Sequence, residues 1–155
     1  MIEKRLKQLI ENSQNQSSAI KPEFFDFQKS DDCQKVSTLI ENHQIKYISD
    51  DYIEQLKEYF AILNPTLVFQ TNFEAKFMEY KSELEQINPL NEHGTWVYFP
   101  WLFSLVHILE EQAFYKVRTA RNRNLITESE QQKFYDAVIG IAGLSVGNSV
   151  ALAIA

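Results

Sequence analysis

Apolar residues recur along this chain at the three- and four-residue spacing of helices that bury one face, and short runs of β-forming residues separate them. Two of these helical patterns stop at proline signals, Asn64-Pro65 and Asn88-Pro89. An alternation of short strands and helices predicts an α/β fold. The predicted helices cover 2–10, 31–40, 51–63, 73–87, 110–121 and 127–134, and the predicted strands cover 24–27, 45–48, 67–69, 95–101 and a segment that begins at Val138. Residues 102–109 are strongly apolar and fit either a strand or a buried helix.

The segment 138–155 reads as a buried strand, a tight glycine-containing loop and an Ala-rich apolar helix. This order is typical of a nucleotide-binding βα unit, because glycines let backbone amides approach a phosphate at a helix N-terminus. A structural tight turn in any α/β domain would show the same pattern. The sequence stops at Ala155, inside the predicted helix and before any further strand or acidic ribose ligand. We therefore expect these residues to be the front part of a longer protein.

An arginine-rich segment precedes that unit. Three of the four arginines, Arg118, Arg121 and Arg123, lie close together, although lysine is the commoner cation elsewhere. The planar guanidinium binds phosphate or carboxylate with two parallel hydrogen bonds, which favours an anion-binding role. Cations that stabilise a helix C-terminus are the structural alternative. The segment Thr127-Glu128-Ser129-Glu130 then predicts a capping box that begins a helix.

Other residues with reactive side chains have structural interpretations. The Asp50-Asp51 pair fits helix capping better than a metal or acid/base site. Cys33 lies on an apolar helical stripe, which favours a packed thiol over a nucleophile. His107 fits a core histidine with satisfied hydrogen bonds, since the sequence places no Asp or Ser nearby to form a triad.

Composition excludes several classes of protein. The 155 residues (18.1 kDa) are 45% hydrophobic and 13% aromatic, which argues against disorder. The net charge of −6 disfavours binding to nucleic acid. One cysteine permits no internal disulfide and no zinc cluster, and it fits a reducing cytoplasm. No apolar run is long enough to cross a bilayer, so we expect no membrane association.

The C-terminal third of the chain resembles the ThiF-type, ubiquitin-activating-enzyme-like adenylyltransferase family. That family places an Arg-rich segment and a short helix containing Glu-Gln directly before the first strand of its ATP-binding fold. The resemblance covers residues 94–155, and residues 1–93 are similar only to the variable N-terminal extension of a bacterial branch. The residues that carry it are 94–101, Leu105-Val106-His107, 118–124, Ile126-Thr127, Glu130-Gln131 and 138–147.

The resemblance implies an enzyme that binds ATP with Mg²⁺ and transfers AMP to a carboxylate, the C-terminus of a ubiquitin-like or sulfur-carrier protein. It also implies a homodimer in the full-length form. Arg121 or Arg123 would be the arginine that reaches ATP, and the two remain alternatives. The phosphates would be wrapped by the cofactor-binding turn Gly143, Leu144, Ser145, Val146 and Gly147, which has fewer glycines than the usual family turn.

The resulting prediction has three parts. Residues 1–93 form a small α/β accessory domain, 94–136 an aromatic strand with the Arg-rich connecting segment, and 137–155 the start of a truncated Rossmann-like ATP-binding domain. The resemblance places the catalytic lysine, the magnesium ligands and the ribose ligands outside these 155 residues, so we expect the chain alone to be inactive. The alternative is a non-enzymatic interaction or dimerisation domain. An NAD-type dinucleotide fold is disfavoured by the arginine segment.

Overall fold

The computed structural model describes Arg5, Lys7, 21–122 and 124–140. The chain divides into two compact units, Met1–Arg118 and Thr119–Ala155. The described residues form a mixed α/β fold, as predicted. The strands are β1 (Glu23–Phe25), β2 (Tyr47–Asp50), β3 (Thr95–Phe99) and β4 (Ser104–Ile108), and the helices are α1 (Ser30–Glu41), α2 (Tyr52–Leu63), α3 (Phe73–Ile87), α4 (Glu111–Thr119) and α5 (Glu128–Tyr135).

The four strands of the first unit form one mixed sheet in the order β1-β3-β4-β2. The hairpin β3–β4 is its centre, β1 pairs with β3 in antiparallel orientation, and β2 pairs with β4 in parallel orientation. Within this sheet, Trp96 of β3 and Asp50 of β2 are both register partners of His107 in β4. The sheet therefore brings three polar or aromatic side chains from distant parts of the sequence into one row.

Two apolar clusters stabilise the first unit. One joins α1 to the sheet through Phe25, Val36, Trp96, Tyr98 and Leu105. Two side-chain hydrogen bonds hold this sheet to its surrounding loops, from Trp96 Nε1 to Asn91 O (2.9 Å) and from the Tyr98 hydroxyl to Gln44 O (3.0 Å). The second cluster joins α2, α3 and α4, and its buried members are Tyr52, Leu56, Phe60, Phe77, Leu109 and Ala113.

Most predicted elements of the first unit are confirmed, including the helix ends at Asn64 and Asn88. Residues 102–109, for which the sequence fits either a strand or a buried helix, contain β4. The strand predicted at 67–69 is wrong, because these residues form turns in which the Leu67 N–H donates to Asn64 O and the Gln70 N–H donates to Leu67 O. Strands β3 and β4, predicted to belong to a connecting segment, pair with β1 and β2 in the sheet of the first unit. Of the predicted helix at 2–10, only Arg5 and Lys7 are described, and both are helical.

The described part of the second unit contains a 3-10 turn (Ala120–Asn122) and α5. The strand predicted to begin at Val138 is absent from 138–140, where the backbone has no regular structure. Val138 is fully exposed and Ile139 is 53% exposed, so no strand among the described residues covers them as a buried strand requires. The rest of the predicted strand, loop and helix lies outside the described residues.

Candidate functional site

Part of the arginine segment, residues 120–122, forms a 3-10 turn that is tied to α5. Arg121 lies in the 3-10 turn Ala120–Asn122, and its side chain is exposed. Asn122 O accepts from the N–H groups of Leu125 (2.8 Å) and Ile126 (3.0 Å), and Asn122 Nδ2 donates to Gln131 Oε1 (3.2 Å). The segment and the Glu-Gln helix are thus held together by both backbone and side-chain bonds.

The predicted capping box at the start of α5 is confirmed. The Glu130 N–H donates to the Thr127 hydroxyl (3.3 Å), and the Thr127 N–H donates to a carboxylate oxygen of Glu130 (2.8 Å). The Thr127 hydroxyl also donates to that carboxylate (2.8 Å). The backbone N–H and the hydroxyl of Thr127 stabilise the charged carboxylate, so they lower the pKa of Glu130. The box fixes the direction in which α5 leaves the arginine turn.

Of the predicted ATP-contacting residues, the structure places only Arg121. Its side chain is exposed on the second unit, where an anion from solvent can reach it. Arg123 and the turn Gly143, Leu144, Ser145, Val146 and Gly147 lie outside the described residues. That Arg121 or Arg123 lies beside the glycine turn therefore stays a prediction.

A second constellation, which sequence reasoning missed, surrounds His107. Its side chain is 1% exposed. Its Nδ1 atom lies 2.9 Å from Asp50 Oδ1, and its Nε2 atom lies 2.7 Å from His93 O. The ring stacks on Trp96 (centroids 4.3 Å apart, planes at 3°) and on Tyr52 (4.6 Å, 9°). The imidazole therefore lies between two protein oxygen atoms and two aromatic faces.

This arrangement makes His107 a structural residue. A general base needs a ring nitrogen within hydrogen-bond reach of a substrate, and here both nitrogens face protein oxygens in a site that excludes solvent. The prediction of a satisfied core histidine matches these contacts, and the structure adds an aspartate, Asp50, that the sequence did not place beside His107. Asp50 approaches because parallel pairing of β2 with β4 makes the two residues register partners.

The predicted capping role of Asp50 and Asp51 is only partly seen. Asp51 occupies the N-cap position of α2, yet its side chain accepts no hydrogen bond from the helix. It accepts instead from the Ser49 hydroxyl (2.7 Å), and Asp50 Oδ1 accepts from the Tyr52 N–H (3.3 Å). The residue preceding the cap therefore bonds the first helical amide, and the same oxygen bonds His107.

Cys33 is partly buried, and its thiol lies 3.3 Å from Phe27 O, to which it donates. It borders an apolar groove of about 270 Å³ between α1 and the β2 side of the sheet. Ile40 of α1 and Ile48 of β2 line the same groove and are 53% and 64% exposed. Ile40 is thus exposed, although it lies close to the C-terminal end of α1 and lines an apolar groove.

A polar groove of about 510 Å³ lies on the β1 side of the first unit. Its acidic side chains include Asp26 and Asp32, which pair with Lys29 (3.2 Å) and Lys35 (2.8 Å). No group of three or more His, Cys, Asp or Glu that could hold a metal ion occurs among the described residues. Nor does any helix within 21–122 and 124–140 have the length and apolar character to cross a membrane.

No protein-family model and no solved structure matches this chain. An uncharacterized protein of Mycobacterium tuberculosis (strain CDC 1551 / Oshkosh) is 35% identical to it over 94 residues. The aligned part is 59% of this chain and 13% of the relative, so the chain matches only a small part of that protein's length.

Proposed function

We propose that this chain is the N-terminal part of a ThiF-like, ATP-dependent adenylyltransferase that activates a carboxylate as an acyl-adenylate. The observation that carries the proposal is the exposed Arg121 in a turn tied to α5 through Asn122 and Gln131. This is the order of arginine segment and Glu-Gln helix on which the family resemblance rests. The match to a much longer relative is compatible with a chain that is one part of a larger protein.

In the proposed reaction, an oxygen of a carrier protein's C-terminal carboxylate attacks the α-phosphorus of ATP. A new bond joins that oxygen to phosphorus, the bond between the α- and β-phosphates breaks, and pyrophosphate leaves. A guanidinium beside the phosphates neutralises the charge that develops on their oxygens. Arg121 or Arg123 would supply it, and backbone amides of the turn from Gly143 to Gly147 would hold the phosphates. No described residue is assigned to magnesium, because no described cluster fits a metal ion.

The test is exchange of labelled pyrophosphate into ATP by the full-length protein, with candidate carrier proteins that have a free C-terminal carboxylate. We expect Arg121→Ala or Arg123→Ala to lower exchange about 100-fold, the usual effect of removing one group that stabilises a transition-state oxyanion. Lys116→Ala is the matched control, since it removes another exposed cation. We expect the 155-residue chain alone to show no exchange. Exchange that survives both arginine substitutions with the fold intact would refute the proposed roles.

A non-enzymatic interaction domain is the second candidate. The exposed apolar side chains of the first unit favour it, in particular Tyr47 and Ile48 of the edge strand and Trp101 and Leu102 of the β3–β4 turn, which are 47–68% exposed. Under this proposal, substitution of either arginine leaves nucleotide binding unchanged, whereas substitutions on the edge strand weaken association.

A further inference from the structure

Strand β2 is an open edge of the sheet. It pairs with β4 on one side and has no partner strand on its other side among the described residues. Tyr47 and Ile48 are 68% and 64% exposed, and the Asp50 side chain is 56% exposed. An exposed edge strand is a template for pairing with another chain.

The backbone groups that face outward can be identified. The N–H groups of Lys46 (2.7 Å) and Tyr47 (3.2 Å) both donate to Phe103 O, and the N–H of Asp51 donates to His107 O (3.1 Å), so these three groups point toward β4. Successive residues of a strand direct their backbone groups to opposite sides, so Ile48 and Asp50 direct theirs away from the sheet. These groups are available to a further strand.

We propose that β2 pairs with β2 of a second copy of this chain, antiparallel and around a two-fold axis at Ile48. In this register Lys46 lies opposite the second copy's Asp50, and Asp50 lies opposite the second copy's Lys46. Opposite charges on directly facing residues stabilise a strand pair. Pairing with a second copy requires a surface that is complementary to itself. The sequence Lys46-Tyr47-Ile48-Ser49-Asp50 meets this requirement, since its positive and negative ends are equally far from the centre.

The apolar surface around the axis fits the same partner. Ile48 would contact its own counterpart across the two-fold axis, and it lines the apolar groove together with the exposed Ile40 of α1. Dimerisation would cover both side chains. The outward N–H groups of Ile48 and Asp50 would donate across the pair, and the joined sheet would have eight strands, twice the four of one copy. A lysine beside an edge strand also serves to prevent association, so the oligomeric state decides between these roles of Lys46.

The first measurement is sedimentation equilibrium of the 155-residue chain over a range of concentrations. We expect a mass that rises from 18.1 kDa toward twice that value. Lys46→Glu should raise the dissociation constant about tenfold or more, because symmetry converts two opposite-charge contacts into two like-charge contacts. Ile48→Lys should do the same by placing two lysines at the axis. Lys21→Glu is the matched control, since it makes the same charge change at an exposed residue just before β1, which is the opposite edge strand of the sheet.

Mixing two variants tests the register. Lys46→Glu and Asp50→Lys each place like charges opposite each other in their own homodimers, but the mixed dimer has opposite charges at both ends. We expect each variant alone to associate about tenfold or more weakly than the wild type, and an equimolar mixture to recover that loss. A chain that stays at 18.1 kDa at every concentration, or a dimer that neither Lys46→Glu nor Ile48→Lys weakens, overturns the proposal. A mixture that fails to associate, with both variants folded by circular dichroism, overturns the register. None of these outcomes depends on Arg121, so the adenylyltransferase proposal is tested separately.

Discussion

Nδ1 of His107 lies 2.9 Å from Oδ1 of Asp50, although 57 residues separate them in the sequence. The contact joins the end of the edge strand to the centre of the sheet. Because His107 also bonds His93 O and stacks on Trp96 and Tyr52, one buried side chain connects four segments of the first unit. His107 therefore contributes to the stability of the first unit.

Replacing His107 with alanine should destabilise the fold by about 2–4 kcal/mol, since it removes a buried ring and leaves a buried carbonyl without its donor. Asp50→Asn should cost less than about 1 kcal/mol, because an amide can either accept from Nδ1 or donate to it and the site of Asp50 is half exposed. Urea unfolding of both variants measures the difference. Equal losses would show that the charge of Asp50, and not the packing of His107, dominates.

Gly94 is the position where a side chain fits least. Its φ is +70°, and a Cβ atom there would lie 2.3 Å from Ile108 O and 2.8 Å from the ring of Tyr52. Gly94→Ala should therefore lower the free energy of unfolding by more than about 2 kcal/mol. Gly140→Ala is the matched control, because nothing lies within 4 Å of its Cβ position. Similar stability of the two variants would contradict this account of Gly94.

The stability of the first unit should fall at high pH through Tyr52. Burial, with a smaller contribution from the negative charge of Glu110, raises the pKa of Tyr52 to about 12 from its usual 10.0. The folded state therefore binds the proton more tightly than the unfolded state, and the stability it confers is complete below pH 10.0 and is lost as the pH approaches about 12.

Urea unfolding between pH 9 and 12 tests this dependence on Tyr52. Tyr52→Phe should match the wild type at the lower end and lose less stability at the upper end. A residual slope should remain, since burial also raises the pKa of Tyr80 and of Tyr98. Identical pH profiles for the two proteins would exclude Tyr52 as the cause.

The capping box should govern the local stability of α5. Thr127→Ala removes the acceptor for the Glu130 N–H and should cost about 1 kcal/mol, whereas Thr127→Ser keeps the hydroxyl and should cost little. Hydrogen exchange of the first-turn amides of α5 reports this directly. Because the pKa of Glu130 is lowered, its contribution is present above its usual 4.5 and is lost as the pH falls below that value. Unchanged exchange in Thr127→Ala would mean that other contacts hold the helix.

Around the candidate site, the sequence predicted the local features but not the tertiary contacts. The capping box of Thr127 and Glu130 is a signal within four residues, so its prediction needed no knowledge of the fold. The contact of Asn122 with Gln131 was not predicted, because it depends on how the intervening turn closes. The phosphate-binding role of Arg121 rests on resemblance and stays a prediction.

The sequence by itself determined the helices of the first unit and their ends, because the three- and four-residue apolar spacing and the Asn-Pro stops act over a few neighbouring residues. It also predicted a strand at 95–101, of which residues 95–99 form β3. Only the tertiary structure decided that 102–109 contains a strand, that β2 runs parallel to β4, and that Asp50 bonds His107. The physical reason is that sheet pairing draws its energy from partners far apart in the sequence, so the same apolar run forms a strand only where another strand accepts its backbone hydrogen bonds.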